Sequence, residues 1–143
     1  MSATRSRKEE KNYKRYIKKV DKSQCIFCGI DKNNKSLIKQ TPSFKIVRNI
    51  FAYSLWDGQA VVDHLMVVPI KHTETLKDFT AEEALELLKL LSLYENQGYN
   101  VYARAPSSHI KSIPHQHTHL IKTEGRPKKF IFLTRKPYIR IIL

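Results

Sequence analysis

Residues 112–119 read Ser112-Ile113-Pro114-His115-Gln116-His117-Thr118-His119, and the rest of the chain is best understood outward from there. Alternate side chains on a strand point to one face. The spacing therefore predicts a strand over 113–122 with three imidazoles on one surface, about 6–7 Å apart along it. Gln116, Thr118 and Leu120 then face the other way, and Pro114 is tolerated at a strand's first position. Such a row could bind one metal, form an idle polar face, or divide its labour among a ligand, a nucleophile and a phosphate contact. Three ligands on one straight strand converge on a single ion only if the strand bends. A neutral imidazole can attack phosphorus and later leave. Division of labour fits best.

Upstream, His64-Leu65-Met66-Val67-Val68-Pro69 reads as a buried strand closed by a proline that cannot donate to a ladder. Thr80-Ala81-Glu82-Glu83 is a capping box opening a helix that Gly98 ends. Leu85, Leu88, Leu91 and Leu87, Leu90, Tyr94 recur at helical spacing, and all are expected in the core. Further strands are expected over 36–40, 44–50, 51–56, 98–104, 130–133 and 138–143, with a turn at Asp57-Gly58. Strands around one long helix make an α+β domain with a mainly antiparallel sheet.

The 143 residues suffice for one hydrophobic core, and no apolar run approaches the roughly 18 residues of a membrane helix. The start lacks the apolar stretch of a secretory signal, so a cytoplasmic location is expected. Of the formal +13, residues 1–22 hold +6 and residues 122–143 another +6. Residues 1–22 read as a basic tail, partly helical around Glu9 to Val20 with little to bury. Residues 23–122 form the domain proper, and 123–143 are a basic segment adding strands to it. Basic ends suit solvation, anionic substrates or nucleic acid, and charge alone does not choose. The spacing of Cys25-Ile26-Phe27-Cys28 points to metal binding or redox chemistry rather than a structural disulfide.

Together these segments resemble the histidine triad (HIT) superfamily of nucleotide hydrolases and transferases, over roughly residues 25–122. The resemblance rests on the cysteine pair, on Asp63-His64-Leu65-Met66-Val67-Val68-Pro69-Ile70-Lys71-His72, on Gly98-Tyr99 and on the 112–119 run. It implies a HIT-like fold with a structural zinc held by Cys25, Cys28, His72 and His115. It implies that His117 attacks an α-phosphate and carries the nucleotide as a phosphoramidate, that His119 contacts the phosphate, and that Ser112 contacts the leaving group. His64 falls where relatives keep a supporting histidine, and Asp57 lies, one residue out of step, where they hold the ribose. His109 has no counterpart. A homodimer through the long helix and an adjoining strand is a further expectation from relatives.

This chain also departs from the family pattern. Polar Gln116 and Thr118 replace apolar residues, which predicts a wetter reverse face. Arg104 stands where relatives often have asparagine, and Ser107-Ser108-His109-Ile110-Lys111 replaces a glycine-rich approach to Ser112. Arg104 and Lys111 are therefore expected to put direct charge on the phosphate. Removal of adenylate from nucleic-acid ends, as in the aprataxin branch, is an alternative activity. A catalytically weak scaffold binding RNA or DNA through its basic ends is another. A two-cysteine, two-histidine zinc finger is excluded, because its histidines follow the cysteines by about a dozen residues.

Overall fold

The computed structural model describes residues 4–21, 23–126, 130–132 and 139–141. Helix α1 (Arg7–Lys19) precedes strands β1 (Leu37–Gln40), β2 (Phe44–Arg48), β3 (Leu55–Trp56) and β4 (Gln59–Pro69). A short 3-10 turn (Leu76–Asp78) leads to helix α2 (Ala81–Glu95), then strands β5 (Tyr99–Ala103) and β6 (Thr118–Glu124). These strands form an antiparallel sheet in the order β1-β2-β4-β6-β5, with β3 hairpinned onto β4. This is the expected α+β class. Strands β7 (Phe130–Phe132) and β8 (Ile139–Ile141) pair with each other in a separate two-stranded sheet. The remainder of the expected strands over 130–133 and 138–143 lies outside the described residues.

Period-two alternation puts different partners on the two faces of the sheet. Phe44 and Ile46 of β2, Leu65 and Val67 of β4 and Leu120 of β6 pack against Leu87, Leu90, Leu91 and Tyr94 of α2. Val47, Met66 and Val68 face the opposite way, onto Phe27, Ile30 and Cys25 of the cysteine loop. Lys45 pins that loop: its buried ammonium donates to the carbonyls of Phe27 (3.2 Å) and Ile30 (2.6 Å). A buried charge without such partners is costly.

The capping box at Thr80 is present as read, with Glu83 returning a bond to the cap. The leucine expectation needs correction. Leu85 and Leu88 are 55% and 66% exposed, because they lie on the side of α2 opposite Leu87, Leu90 and Tyr94. Of the first spacing only Leu91 reaches the sheet, alongside Leu87, Leu90 and Tyr94 of the second.

Residues 51–54 are not strand, because side chains take the Phe51 and Tyr53 backbone donors and the N-terminal segment takes that of Ser54. Asn49 Oδ1 accepts the Phe51 N–H, and His64 Nδ1 accepts the Tyr53 N–H. The N-terminal helix has no buried residue, as expected of a segment with little to bury, but it is capped and docked. Ser6 and Glu9 form a capping box that starts α1. The chain before it is clasped onto 54–55, where Ser54 and Leu55 donate to the Thr4 carbonyl and Ser54 bonds Glu9. Tyr13 and Tyr16 then pack against Phe51.

Candidate active site and metal cluster

The strand expected from Ile113 begins only at Thr118. Pro114 supplies no N–H, the chain bends at 113–115, and the Gln116 N–H donates to the Thr73 carbonyl (2.6 Å) instead of a strand partner. The three triad histidines are therefore not a straight row. His115 is turned away from the other two, toward the cysteine loop. His117 and His119 remain together, their ring centroids 4.9 Å apart and edge to face. The reverse face is not wetter either, since Gln116 and Thr118 are both buried.

His115 meets Cys25, Cys28 and His72, and the four ligand atoms all lie within 4.8 Å of one another. The Nδ1 of His115 is 3.3 Å from Cys25 Sγ and 3.6 Å from Cys28 Sγ, and that of His72 is 3.3 Å from Cys28 Sγ. A carbonyl only accepts, so the 3.0 Å contact of His115 Nε2 with the Pro69 carbonyl fixes the proton on Nε2. Nδ1 is left as a lone pair aimed at the thiols. An outer hydrogen bond of this kind commonly orients a metal-binding histidine. The cluster could hold a metal ion, and it joins three segments distant in sequence.

On the other side of the bend, a cleft of about 680 Å³ is lined by His117, His119, Ser112, Arg104 and Lys111. Asp57 is not among its lining residues. It sits exposed at the tip of the β3–β4 hairpin with φ 50°, followed by Gly58 at φ 81°. These are the left-handed values such a two-residue turn demands. His109 is exposed on the loop before Lys111.

Hydrogen bonds give the two cleft histidines opposite characters. His117 Nδ1 donates to the His115 carbonyl at 2.8 Å, leaving Nε2 with its lone pair. His64 accepts the Tyr53 N–H on Nδ1, so its proton is on Nε2, which donates to His119 Nδ1 at 2.9 Å. His119 therefore carries its own proton on Nε2. One imidazole is a lone-pair donor and its neighbour a hydrogen-bond donor.

Burial disfavours the imidazolium throughout. It holds His117 below the usual imidazole range, with Lys111 and Arg104 adding to the effect and the His115 carbonyl opposing it. Burial, followed by His117, His64 and Arg104, pushes His119 down to about 2. Burial and then Arg5 take His64 down to about 4. All three are neutral near pH 7. Around them, Arg104 donates to the Tyr53 hydroxyl at 3.0 Å and Lys111 to the Glu74 carbonyl at 2.9 Å.

The N-terminal segment enters the cleft unannounced. Thr4, Arg5, Glu10, Tyr13 and Tyr16 all line it. Arg5 lies 4.4 Å from the Tyr13 ring centroid and 5.0 Å from that of Tyr53, and it donates to the Phe51 carbonyl. The available signal was Ser6-Arg7-Lys8-Glu9, a second capping box overshadowed by the basic charge around it.

No protein-family model matches the chain. It is 28% identical over 129 residues to an uncharacterized 16.1 kDa HIT-like protein of Mycoplasma pneumoniae, covering 84% of this chain and 85% of that one. Its fold is similar to that of a HIT family hydrolase from Legionella pneumophila, with a TM-score of 0.52, 22% identity, and 73% and 96% of the two chains covered. It is also similar to a uridylyltransferase, with a TM-score of 0.51 and 22% identity over 84% of this chain but only 38% of the larger one. The resemblance to the histidine triad superfamily read from the sequence holds in both the curated relative and the fold.

Proposed function

We propose that this chain, which has the histidine triad fold and carries the triad itself, is a nucleotide hydrolase or nucleotidyl transferase acting at an α-phosphate. The observation that carries this is the His117 Nδ1–H bond to the His115 carbonyl, which leaves Nε2 unprotonated beside the cleft. Nε2 attacks phosphorus in line, and the bond to the leaving group breaks with its electron pair going to that group. The nucleotide then rests on His117 as a phosphoramidate. Water or another hydroxyl acceptor attacks phosphorus next and gives up its proton to solvent, the N–P bond breaks, and the imidazole regains its lone pair. One hard displacement becomes two easier ones. His119 Nε2–H donates to the phosphate oxygens where charge accumulates, and Ser112 donates to the leaving oxygen. Rapid acid-free quenching with intact-protein mass spectrometry tests the scheme. A nucleotidyl mass on the parent but not on His117→Asn supports it, and a labelled His117→Asn protein overturns it.

Arg104 and Lys111 extend the charge beside His117, so the preferred leaving group bears extra phosphates. Arg104→Ala with Lys111→Ala is expected to lower kcat/KM for a dinucleoside polyphosphate roughly 10- to 100-fold, and for a phosphoramidate much less. Equal losses on both would remove the preference.

The cysteine–histidine cluster is proposed to hold zinc. Zn–S near 2.3 Å and Zn–N near 2.0–2.1 Å give tetrahedral S–N edges of about 3.5 Å, and the contacts here are 3.3–3.6 Å. Four protein ligands leave no open position, so the ion is structural.

Exposed Leu85 and Leu88, with Val101 on β5, fit a homodimer through that side. A second reading, a nucleic-acid end as substrate, is favoured by a groove beside the cleft lined by Arg7, Lys11, Lys14, Arg15 and Lys18, with Glu10 the one acid among them. Steep salt dependence of KM would mark it.

A further inference from the structure

Glu10 is the one carboxylate lining the cleft among the described residues, in a wall that also carries Arg5, Arg48, Arg104 and Lys111. Its Oε1 lies 3.4 Å from Lys14 Nζ, an i,i+4 pair on α1. Its Oε2 is buried and has no hydrogen-bond partner among the described residues. An unpaired buried acceptor is costly, and native structures rarely leave one without a use. Glu10 is also held in place. The capping box, the Ser6 N–H bond to Ser54 Oγ (2.9 Å) and the packing of Tyr13 and Tyr16 on Phe51 fix α1 at this end of the cleft. The rings of Tyr13, Tyr16 and Phe51 give that end the character of a nucleoside pocket rather than a phosphate site. Asp57, the residue expected at the ribose, stands outside it.

We propose that Glu10 is a nucleoside-binding residue whose Oε2 accepts a hydrogen bond from a donor on the bound nucleoside, either a ribose hydroxyl or a base N–H. The N-terminal helix is thereby part of the substrate site, and the basic segment containing it does more than solvate the chain. The assignment rests on the cleft binding nucleotides, and it concerns selectivity rather than the chemistry on His117.

Equilibrium binding of AMP, its 2′-deoxy and 3′-deoxy analogues and purine riboside monophosphate to the full chain separates the possibilities. Losing the matching donor is expected to weaken binding to the parent roughly tenfold or more, because a charged acceptor is left unpaired. In Glu10→Gln and Glu10→Ala that ratio is expected to fall to within about twofold, while Lys8→Ala, at an exposed α1 position outside both the cleft and the groove, keeps the parent ratio. The deoxy analogues report the ribose and the purine analogue reports the base, so a Glu10-dependent change in either supports the assignment. Unchanged ratios in both Glu10 variants overturn it and leave the nucleotide reading standing. A shift in Lys8→Ala as large as that in Glu10→Ala overturns it in favour of general charge. Failure of the parent to bind any of the four ligands overturns both readings.

Discussion

The His117→Asn protein is expected to turn over nucleotides roughly 10³–10⁶-fold more slowly than the parent while binding them within about threefold. Asparagine approximates the near half of the ring, and its amide can donate to the His115 carbonyl as Nδ1–H does at 2.8 Å. What it lacks is a nucleophilic lone pair at the Nε2 position. Affinity and catalysis are therefore separated by one substitution, which is the signature of a group acting in the transition state. The His119→Ala change should be milder, about 10²–10³-fold in kcat, because it removes one donor to the phosphate and not the attacking atom. Steady-state rates and Kd values on the three proteins check this order. Retention of more than a tenth of parent turnover in His117→Asn, or a larger loss in His119→Ala, would reassign the roles.

That His115 joins the cysteines while His117 and His119 face another way was expected from the sequence, but the bend that separates them was not. Alternation at 115, 117 and 119 reads as one strand face, yet Pro114 and the Gln116 bond to Thr73 break the strand before Thr118. Periodicity reports which side chains share a face only where the ladder continues. The same limit explains 51–54, where the Phe51 and Tyr53 donors go to the Asn49 and His64 side chains, 2 and 11 residues away. Buried Thr118 shows another side of it: a central strand covered on both faces has no wet side, and polarity alone does not say how many faces are covered. The α2 capping box and the Cys25–Cys28 spacing are local chemistry, and both were readable. Glu10 and Arg5 were not, because their importance arises from docking on Phe51 and Ser54, more than forty residues along the chain.

Removing the cluster's metal is expected to lower the melting temperature by roughly 8–16 °C. An ion present at about 1,000 times its dissociation constant, and bound only by the folded chain, stabilises it by about 4 kcal/mol. For a chain of this size each kcal/mol corresponds to about 2–4 °C. The effect should be structural because of where the ligands sit. Cys25 and Cys28 belong to the loop that carries Phe27 and Ile30 onto one face of the sheet. His72 follows β4, and His115 is two residues from His117, to which its carbonyl bonds. Loosening the cluster therefore releases the loop under the cleft and the carbonyl that orients the proposed nucleophile. The Cys28→Ser protein should melt near the temperature of chelator-treated parent and should not respond to the chelator itself. Its turnover should fall through misorientation of His117, with partial recovery at low temperature where the fold holds. Elemental analysis gives the independent readout, with about one zinc per chain expected in the parent. If the parent carries no metal and its melting temperature is indifferent to chelator, the four side chains are a packed polar cluster, and the positioning of His117 must come from the Pro69 and Thr73 carbonyl contacts alone.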